Sequence, residues 1–409
     1  MKFIPILASC LLAFGIWQTG LSQTYTPCAN SAPTVPPTAT NYNVLKVVAG
    51  LHHPIQQSNG NTFSLVSAHR GYWQYAPENS IRSFYAAVAI GAEIIEIDTR
   101  ETSDGVPMME HDDDITRTMT GTGAPETNTI AQIQSYYLRD RRGCPTTDTG
   151  DTGTSLAQVF AAWGASNMVY YDSQGVLRGT VLIVDIKGKG SATKYQNLKD
   201  AISVFNTMSQ LYPALADAVV FKAPLKALPD SPAQFQADVN WSAYPNSSQN
   251  LIAVLYPEDD NKQSAEAEVA AGGDVKFTAY NSAPYLLHFE TAEYFNGDLD
   301  TPYRQFLQSI NMTVAGYLPE NFFPEGEPTG GICCKVGNTL PSTAQSQLPI
   351  TSTGALNCQQ KALNYTCLDY RGRVDFLMST GMRVFTVERA PDAFALFTQL
   401  GLRDLTAIE

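Results

Sequence analysis

The chain has 409 residues, of which 44% are hydrophobic and 16% charged; this excludes general disorder and leaves enough apolar material for a core that needs neither metal nor disulfides to hold it. Its 26 Lys and Arg against 39 Asp and Glu give a net charge of −13, a balance that repels nucleic acid and anionic membrane surfaces alike. No solenoid, collagen or coiled-coil period is visible, so the length accommodates one large domain or two to three smaller ones.

The chain opens with Met1-Lys2, an apolar run from Phe3 to Trp17, and then Gly20-Leu21-Ser22-Gln23. A basic start, a short apolar stretch and small residues before Gln23 read as a signal peptide over residues 1–22, and imply a secreted protein. The run is shorter than the roughly 18 residues a membrane anchor needs. Residues 23–60, rich in Thr, Pro, Asn and Gln, read as an extended N-terminal arm. From Phe63 onward short apolar runs alternate with helical patterns. The strand candidates are 63–68, 92–97, 180–186, 218–221, 251–256, 285–289, 312–317 and 383–387. The helix candidates are 79–90, 155–163, 192–209, 232–238, 262–271, 300–309, 370–380 and 391–400.

Continuous rather than alternating β-branched runs suit strands buried on both faces. About eight strand–helix repeats predict an α/β protein, most simply a (β/α)8 TIM barrel. An open doubly wound sheet is the alternative, disfavoured because no GxGxxG follows a first strand. A barrel needs about 250 residues, so the surplus falls in the arm and in two insertions: one after strand 2, over residues 112–154, and a Cys-rich one near the C-terminus, over residues 318–369. Together they make residues 61–409 one domain. Signal cleavage removes Cys10 and leaves Cys28, Cys144, Cys333, Cys334, Cys358 and Cys367, an even set that fits disulfides in an oxidising compartment. Vicinal Cys333 and Cys334 are expected to pair with Cys358 and Cys367, and Cys28 with Cys144; free buried thiols or, less well, a metal site are the alternatives. Sequons at Asn240, Asn246, Asn311 and Asn364 are candidate glycosylation sites.

The chemistry concentrates between Ala68 and Asp112. In a parallel barrel the reactive groups sit at the carboxyl ends of strands, where His69-Arg70-Gly71 ends the first predicted strand and Pro77-Glu78-Asn79 enters a helix that Asn79 is placed to cap. Glu96 and Asp98 lie two apart on a strand and so share a face; Asp185 and Lys187 repeat the spacing on the third strand. Buried paired carboxylates need a compensating cation, and their oxygens suit Ca2+ or Mg2+, with Asp185 completing the set. His69 and His111 are candidates for general acid and base, and Arg70 and Lys187 for phosphate oxygens. Taken singly each has a plainer reading: a hydrogen-bonding core histidine, an ion-paired strand end, a lysine neutralising Asp185. His52, His53 and His288 are read as structural, and Arg100, Asp113 and Asp114 as solvated. Jointly, two imidazoles, two cations and three acids point to phosphodiester cleavage.

Residues 68–123, AHRGYWQYAPENSIRSFYAAVAIGAEIIEIDTRETSDGVPMMEHDDDITRTMTGTG, resemble the glycerophosphodiester phosphodiesterase family of the phospholipase-C-like superfamily in the order HRG, PEN, helix, GA, ExD, DG, HD, RT. The likeness thins to VDIK at 184–187, Thr154-Ser155-Leu156 and FTVERAP at 385–391. The resemblance implies His69 and His111 as the acid–base pair; Glu96, Asp98 and Asp185 as holders of a divalent cation; Arg70 and Lys187 on phosphate, with Glu78 in support; and hydrolysis of a glycerophosphodiester to glycerol 3-phosphate and an alcohol. The partner it implies is a small glycerophosphodiester or a phospholipid head group. The chain departs from the family's usual Glu at Asp185 and from T-D-R-P at Glu388-Arg389-Ala390-Pro391. A phospholipase of C or D type, touching acyl chains with Tyr72, Trp73, Phe322 and Phe323, is the alternative reading. An inactive binding barrel is another, and a glycosidase using Glu96 and Asp98 fits least, because it leaves both histidines idle.

Overall fold

A computed structural model describes residues 35–141, 143–240, 250–255, 275–291, 312–318 and 381–409. Eight parallel strands close on themselves: β1 (Leu65–His69), β2 (Ile94–Glu101), β6 (Val181–Ile186), β7 (Val219–Pro224), β8 (Asn250–Leu255), β9 (Leu286–Thr291), β10 (Val314–Leu318) and β11 (Met382–Val387), with β11 pairing back onto β1. This is the expected (β/α)8 TIM barrel, and all eight strand candidates are strands of it. Runs such as Val181–Ile186 are buried along their whole length, which is why they read as continuous apolar stretches.

The helices follow from local signals. α2 (Ile81–Ala89) starts at Ser80, whose side chain accepts from the Ser83 N–H; Asn79, expected as the cap, is instead left-handed at φ 53° and serves the site described below. α4 (Leu156–Ala165) starts with a Ser155–Gln158 capping box. It packs on α5 (Ser191–Leu211), whose Phe205 stands edge-on to Phe160 and Phe221 at 6.0 and 5.5 Å. α6 (Pro232–Val239) and α8 (Ala390–Gln399) fall on predicted helices, and α7 (Val275–Asn281) precedes β9. Among the described residues no helix is long and apolar enough to cross a membrane.

Within the stretch read as an extended arm, the structure has a helix, α1 (Val44–His52), capped by Asn43 and burying Val44, Val47, Val48 and Leu51. It closes the amino-terminal end of the barrel, where Leu51 O meets the buried His288 Nδ1 at 2.7 Å and Thr313 N donates to His52 O at 3.0 Å. The structural reading of His52 and His288 agrees with these contacts.

The insertion after the second barrel strand begins with β3 (Pro107–Met109), antiparallel to β2, and holds α3 (Ile130–Ile133). It has a small core of its own, made of Met108, Ile115, Met119, Ile133 and Leu138. A hairpin of β4 (Val169–Tyr171) and β5 (Leu177–Gly179) precedes β6. Residues 1–34, the sequons at Asn246, Asn311 and Asn364, nearly all of 318–369, the helix candidates 262–271, 300–309 and 370–380, and every cysteine except Cys144 lie outside the described residues. Asn240 is exposed and ends α6 in a left-handed turn.

Candidate active site

Strand register assembles the site. β2 pairs with β6 so that Asp98 stands beside Asp185, and β6 with β7 so that Asp185 stands beside Lys222; His69 on β1 faces Glu96. Glu96 and Asp98, two residues apart, point the same way. The result is a buried triad, Glu96, Asp98 and Asp185, each offering a carboxylate oxygen within 4.8 Å of the others. Burial pushes the Asp98 carboxyl up, but Lys187, with His111, Arg70 and His69, holds it well below the usual range. Asp185 is likewise raised by burial and brought below its usual value by Lys187 and Lys222. Asp98 Oδ1 and Asp185 Oδ1 are buried without a hydrogen-bond partner. Unpartnered buried carboxylate oxygens are costly, and hard oxygen donors in this number fit a divalent cation of the Mg2+ or Ca2+ kind.

The turn after β1 carries His69 and Arg70. Arg70 is left-handed at φ 55°, and Gly71 follows at φ 79°, where an added Cβ would lie 2.7 Å from the Ser83 backbone carbon; only glycine fits both the angle and the approach. Asn79 binds Asp98 twice, Nδ2 donating to Oδ2 and Oδ1 accepting from the Asp98 N–H, both at 2.9 Å. Arg70 reaches Asp98 Oδ2 at 3.3 Å through Nε and Glu78 Oε1 at 2.9 Å through Nη1. His69 has Nδ1 2.7 Å from Glu388 Oε1 and Nε2 3.8 Å from Glu96 Oε1. The second Glu388 oxygen accepts from the Trp73 indole.

His111 sits on the loop leaving β3, 35% exposed, with Nδ1 2.9 Å from Asp112 Oδ1. Glu110 fixes this loop: one oxygen accepts the His111 and Asp112 N–H groups at 2.8 Å, and the other takes the Thr118 hydroxyl. Arg117 joins Asp112 to Glu78, donating to both Glu78 oxygens at 2.7 Å. Arg100, read from sequence as solvated, is buried; it donates to the His111 carbonyl at 3.0 Å and pairs with Asp113 and Glu126. Its charge is neutralised locally, which is what lets it leave water.

Lys187 Nζ stands 2.9 Å from Asp185 Oδ2 and 3.2 Å from Asp98 Oδ1. Behind it is a second buried ammonium that sequence reasoning did not find. Lys222 contacts Glu96 Oε2 at 2.9 Å, Glu290 Oε1 at 2.8 Å and Asp185 Oδ2 at 3.3 Å. Glu388, noted in sequence only as a departure from T-D-R-P, is the third site residue to emerge. Of the aromatics considered for acyl chains, Tyr72 packs on the core and Trp73 bonds Glu388, while Phe322 and Phe323 lie outside the described residues. All eight predicted site residues are among the described residues at the carboxyl end of the barrel. They are linked by the contacts above, His111 through Asp112, Arg117 and Glu78.

Residues 69–173 match the sequence pattern described as the Glycerophosphoryl diester phosphodiesterase family. An uncharacterized protein, y4eD, of Sinorhizobium fredii is 28% identical over 84% of this chain and 86% of its own length. The glycerophosphodiester phosphodiesterase of Caldanaerobacter subterraneus subsp. tengcongensis is 39% identical, over 34% of this chain and 51% of that enzyme, so the chain spans about half the length of that relative. A solved structure from Silicibacter pomeroyi, described as a putative glycerophosphoryl diester phosphodiesterase, superposes with a TM-score of 0.50 at 14% identity, covering 88% of this chain and 99% of that one, a likeness of fold. The matched segment contains the turn after β1, the ExD strand and the His111 loop, so the likeness to the glycerophosphoryl diester phosphodiesterase family is carried by the residues of the candidate site.

Proposed function

We propose that this protein is a secreted, divalent-metal-dependent phosphodiesterase that hydrolyses glycerophosphodiesters to glycerol 3-phosphate and an alcohol, with His69 and His111 as its acid–base pair. The observation that carries the reading is the buried triad of Glu96, Asp98 and Asp185 beside the His69 imidazole and the Arg70 guanidinium. Each imidazole has Nδ1 against a carboxylate, Glu388 for His69 and Asp112 for His111. These contacts orient the rings, and Nε2 of each is the atom proposed to take or give a proton. One accepts a proton from the attacking water, whose oxygen bonds to phosphorus, and the other protonates the departing alkoxide to give the alcohol. Arg70, held by Glu78, and Lys187 meet the phosphoryl oxygens and orient the diester. Glu96, Asp98 and Asp185 would hold the cation, which when bound stabilises charge developing on the phosphoryl oxygens.

Secretion and disulfide bonding belong to the same proposal, supported by the leader-like residues 1–22 and by the six cysteines, Cys144 among them, that removal of that segment would leave. The test is a panel of glycerophosphodiesters, glycerophosphocholine first, assayed with and without chelator. Turnover that EDTA abolishes and a divalent ion restores is expected, with His69→Ala and His111→Ala each lowering it at least about 100-fold. Near-wild-type turnover in either variant would refute the acid–base assignment, and chelator-resistant turnover the metal requirement.

A further inference from the structure

We propose that Lys222 is a positioning residue that sets which divalent ion the triad accepts, favouring a small, water-carrying cation of the Mg2+ class over Ca2+. The inference rests on the metal site proposed above and deepens it. Each carboxylate of the triad has one oxygen already engaged. Glu96 Oε2 is held by Lys222 at 2.9 Å and by the Thr386 hydroxyl at 3.3 Å. Asp98 Oδ2 is held by Asn79 at 2.9 Å and faces Arg70 at 3.3 Å. Asp185 Oδ2 is held by Lys187 at 2.9 Å and faces Lys222 at 3.3 Å. That leaves Glu96 Oε1, Asp98 Oδ1 and Asp185 Oδ1, and the last two are buried without a hydrogen-bond partner. Lys187 is an ion-pair distance from Asp98 Oδ1 but makes no hydrogen bond to it.

The triad therefore offers three single oxygens rather than bidentate carboxylates. Ca2+ gathers six to eight oxygens and gains from bidentate carboxylates, whereas Mg2+ takes few protein ligands and keeps several waters. Lys222 is the residue that enforces the difference. It is buried, it is anchored from behind by Glu290, and its neighbour in register is Asp185 itself. The shortened Asp185 side chain fits the same scheme, since Lys222 and Lys187 both meet its Oδ2.

The test is calorimetric titration of the purified protein, without substrate, with MgCl2 and with CaCl2, for the wild type and Lys222→Gln. The wild type is expected to bind Mg2+ at least as tightly as Ca2+. The variant is expected to shift the ratio of the two constants toward Ca2+ by about tenfold or more, the scale on which residues behind metal ligands act. Tighter Ca2+ binding by the wild type, or an unchanged ratio in a variant that melts cooperatively, overturns the proposal. The wild-type comparison decides by itself if the variant does not fold. Ca2+ preference with chelator-sensitive turnover intact would remove this inference alone, whereas binding of neither ion would remove it together with the metal site.

Discussion

His69 owes its usefulness to two residues far from it in sequence. Glu388 accepts from its Nδ1 at 2.7 Å and is itself steadied by the Trp73 indole, so the ring is fixed from behind while Nε2 faces Glu96. A buried imidazole without that acceptor is free to turn, and misplacement by about 1 Å at a reacting group costs on the order of 100-fold in rate. Glu388→Ala is accordingly expected to lower kcat by about that factor with KM little changed, because Arg70 and Lys187, the proposed phosphate ligands, are untouched. Steady-state kinetics on a glycerophosphodiester would check it; a rise in KM at constant kcat would mean that Glu388 serves binding instead. Glu388, Lys222 and Glu290 went unrecognised in the sequence for a common reason. The predicted strands end at 221, 289 and 387, one residue short of each, where the apolar run gives way to a charged side chain. In a barrel that is where the site begins. His69, Glu96, Asp98 and His111 were legible because they are crowded into a short stretch with recognisable spacing. The partnership of Lys222 with Asp185 depends on which strands lie side by side, and one sequence does not state that.

At the scale of an element, the loop leaving β3 carries His111 and is held by one buried side chain. The Glu110 carboxyl is pushed up to about 7 by burial, although the Thr118 hydroxyl and the Asp112 N–H bring it part of the way back. A carboxyl whose folded value lies above its unfolded value keeps its proton in the folded state over the interval between them. Stability from this group is therefore present in full below the ordinary glutamate value of about 4.5 and is lost as pH rises toward 7, by on the order of 3 kcal/mol at most. Asp98, Asp112 and Asp185, all held below their usual values, act in the opposite sense, so the total profile mixes the two. The difference between wild type and Glu110→Gln isolates the one group. The glutamine variant is expected to lose less melting temperature than the wild type between pH 5 and pH 7. Parallel curves would show that Glu110 stays ionised throughout. The sequence showed a histidine after a short strand but gave no sign of this clamp, since Glu110 matters through the two backbone N–H groups that follow it.

Over the whole molecule, the first and last described segments meet at the floor of the barrel, opposite the site. Asn43 N, ahead of α1, donates to Ile408 O at 2.7 Å, and the C-terminal Arg403 reaches the start of β2. The helix that makes this floor was legible in principle: Val44, Val47, Val48 and Leu51 have helical spacing, but the Thr, Pro and Asn residues before them set the reading of the whole stretch. The long-range contact was not legible, because Glu93 and Arg403 are 310 residues apart. Their pair is bidentate, at 2.6 and 2.7 Å, and fully buried at Glu93. Glu93 also accepts the Val66 N–H at 2.7 Å, and the guanidinium lies 4.2 Å from the Phe394 ring centre. One carboxylate thus ties β1, β2 and the tail together at the seam where the barrel closes. Removing one partner of a buried pair strands the other charge, so Arg403→Ala is expected to lose about 3–5 kcal/mol in urea unfolding. Turnover per folded molecule should stay near wild type at temperatures where the variant remains folded, because the site occupies the other end of the strands. A variant that unfolds at the wild-type urea concentration would show that the tail is not needed to close the barrel. One that is stable but catalytically impaired would show instead that the floor and the mouth are coupled through the strands between them.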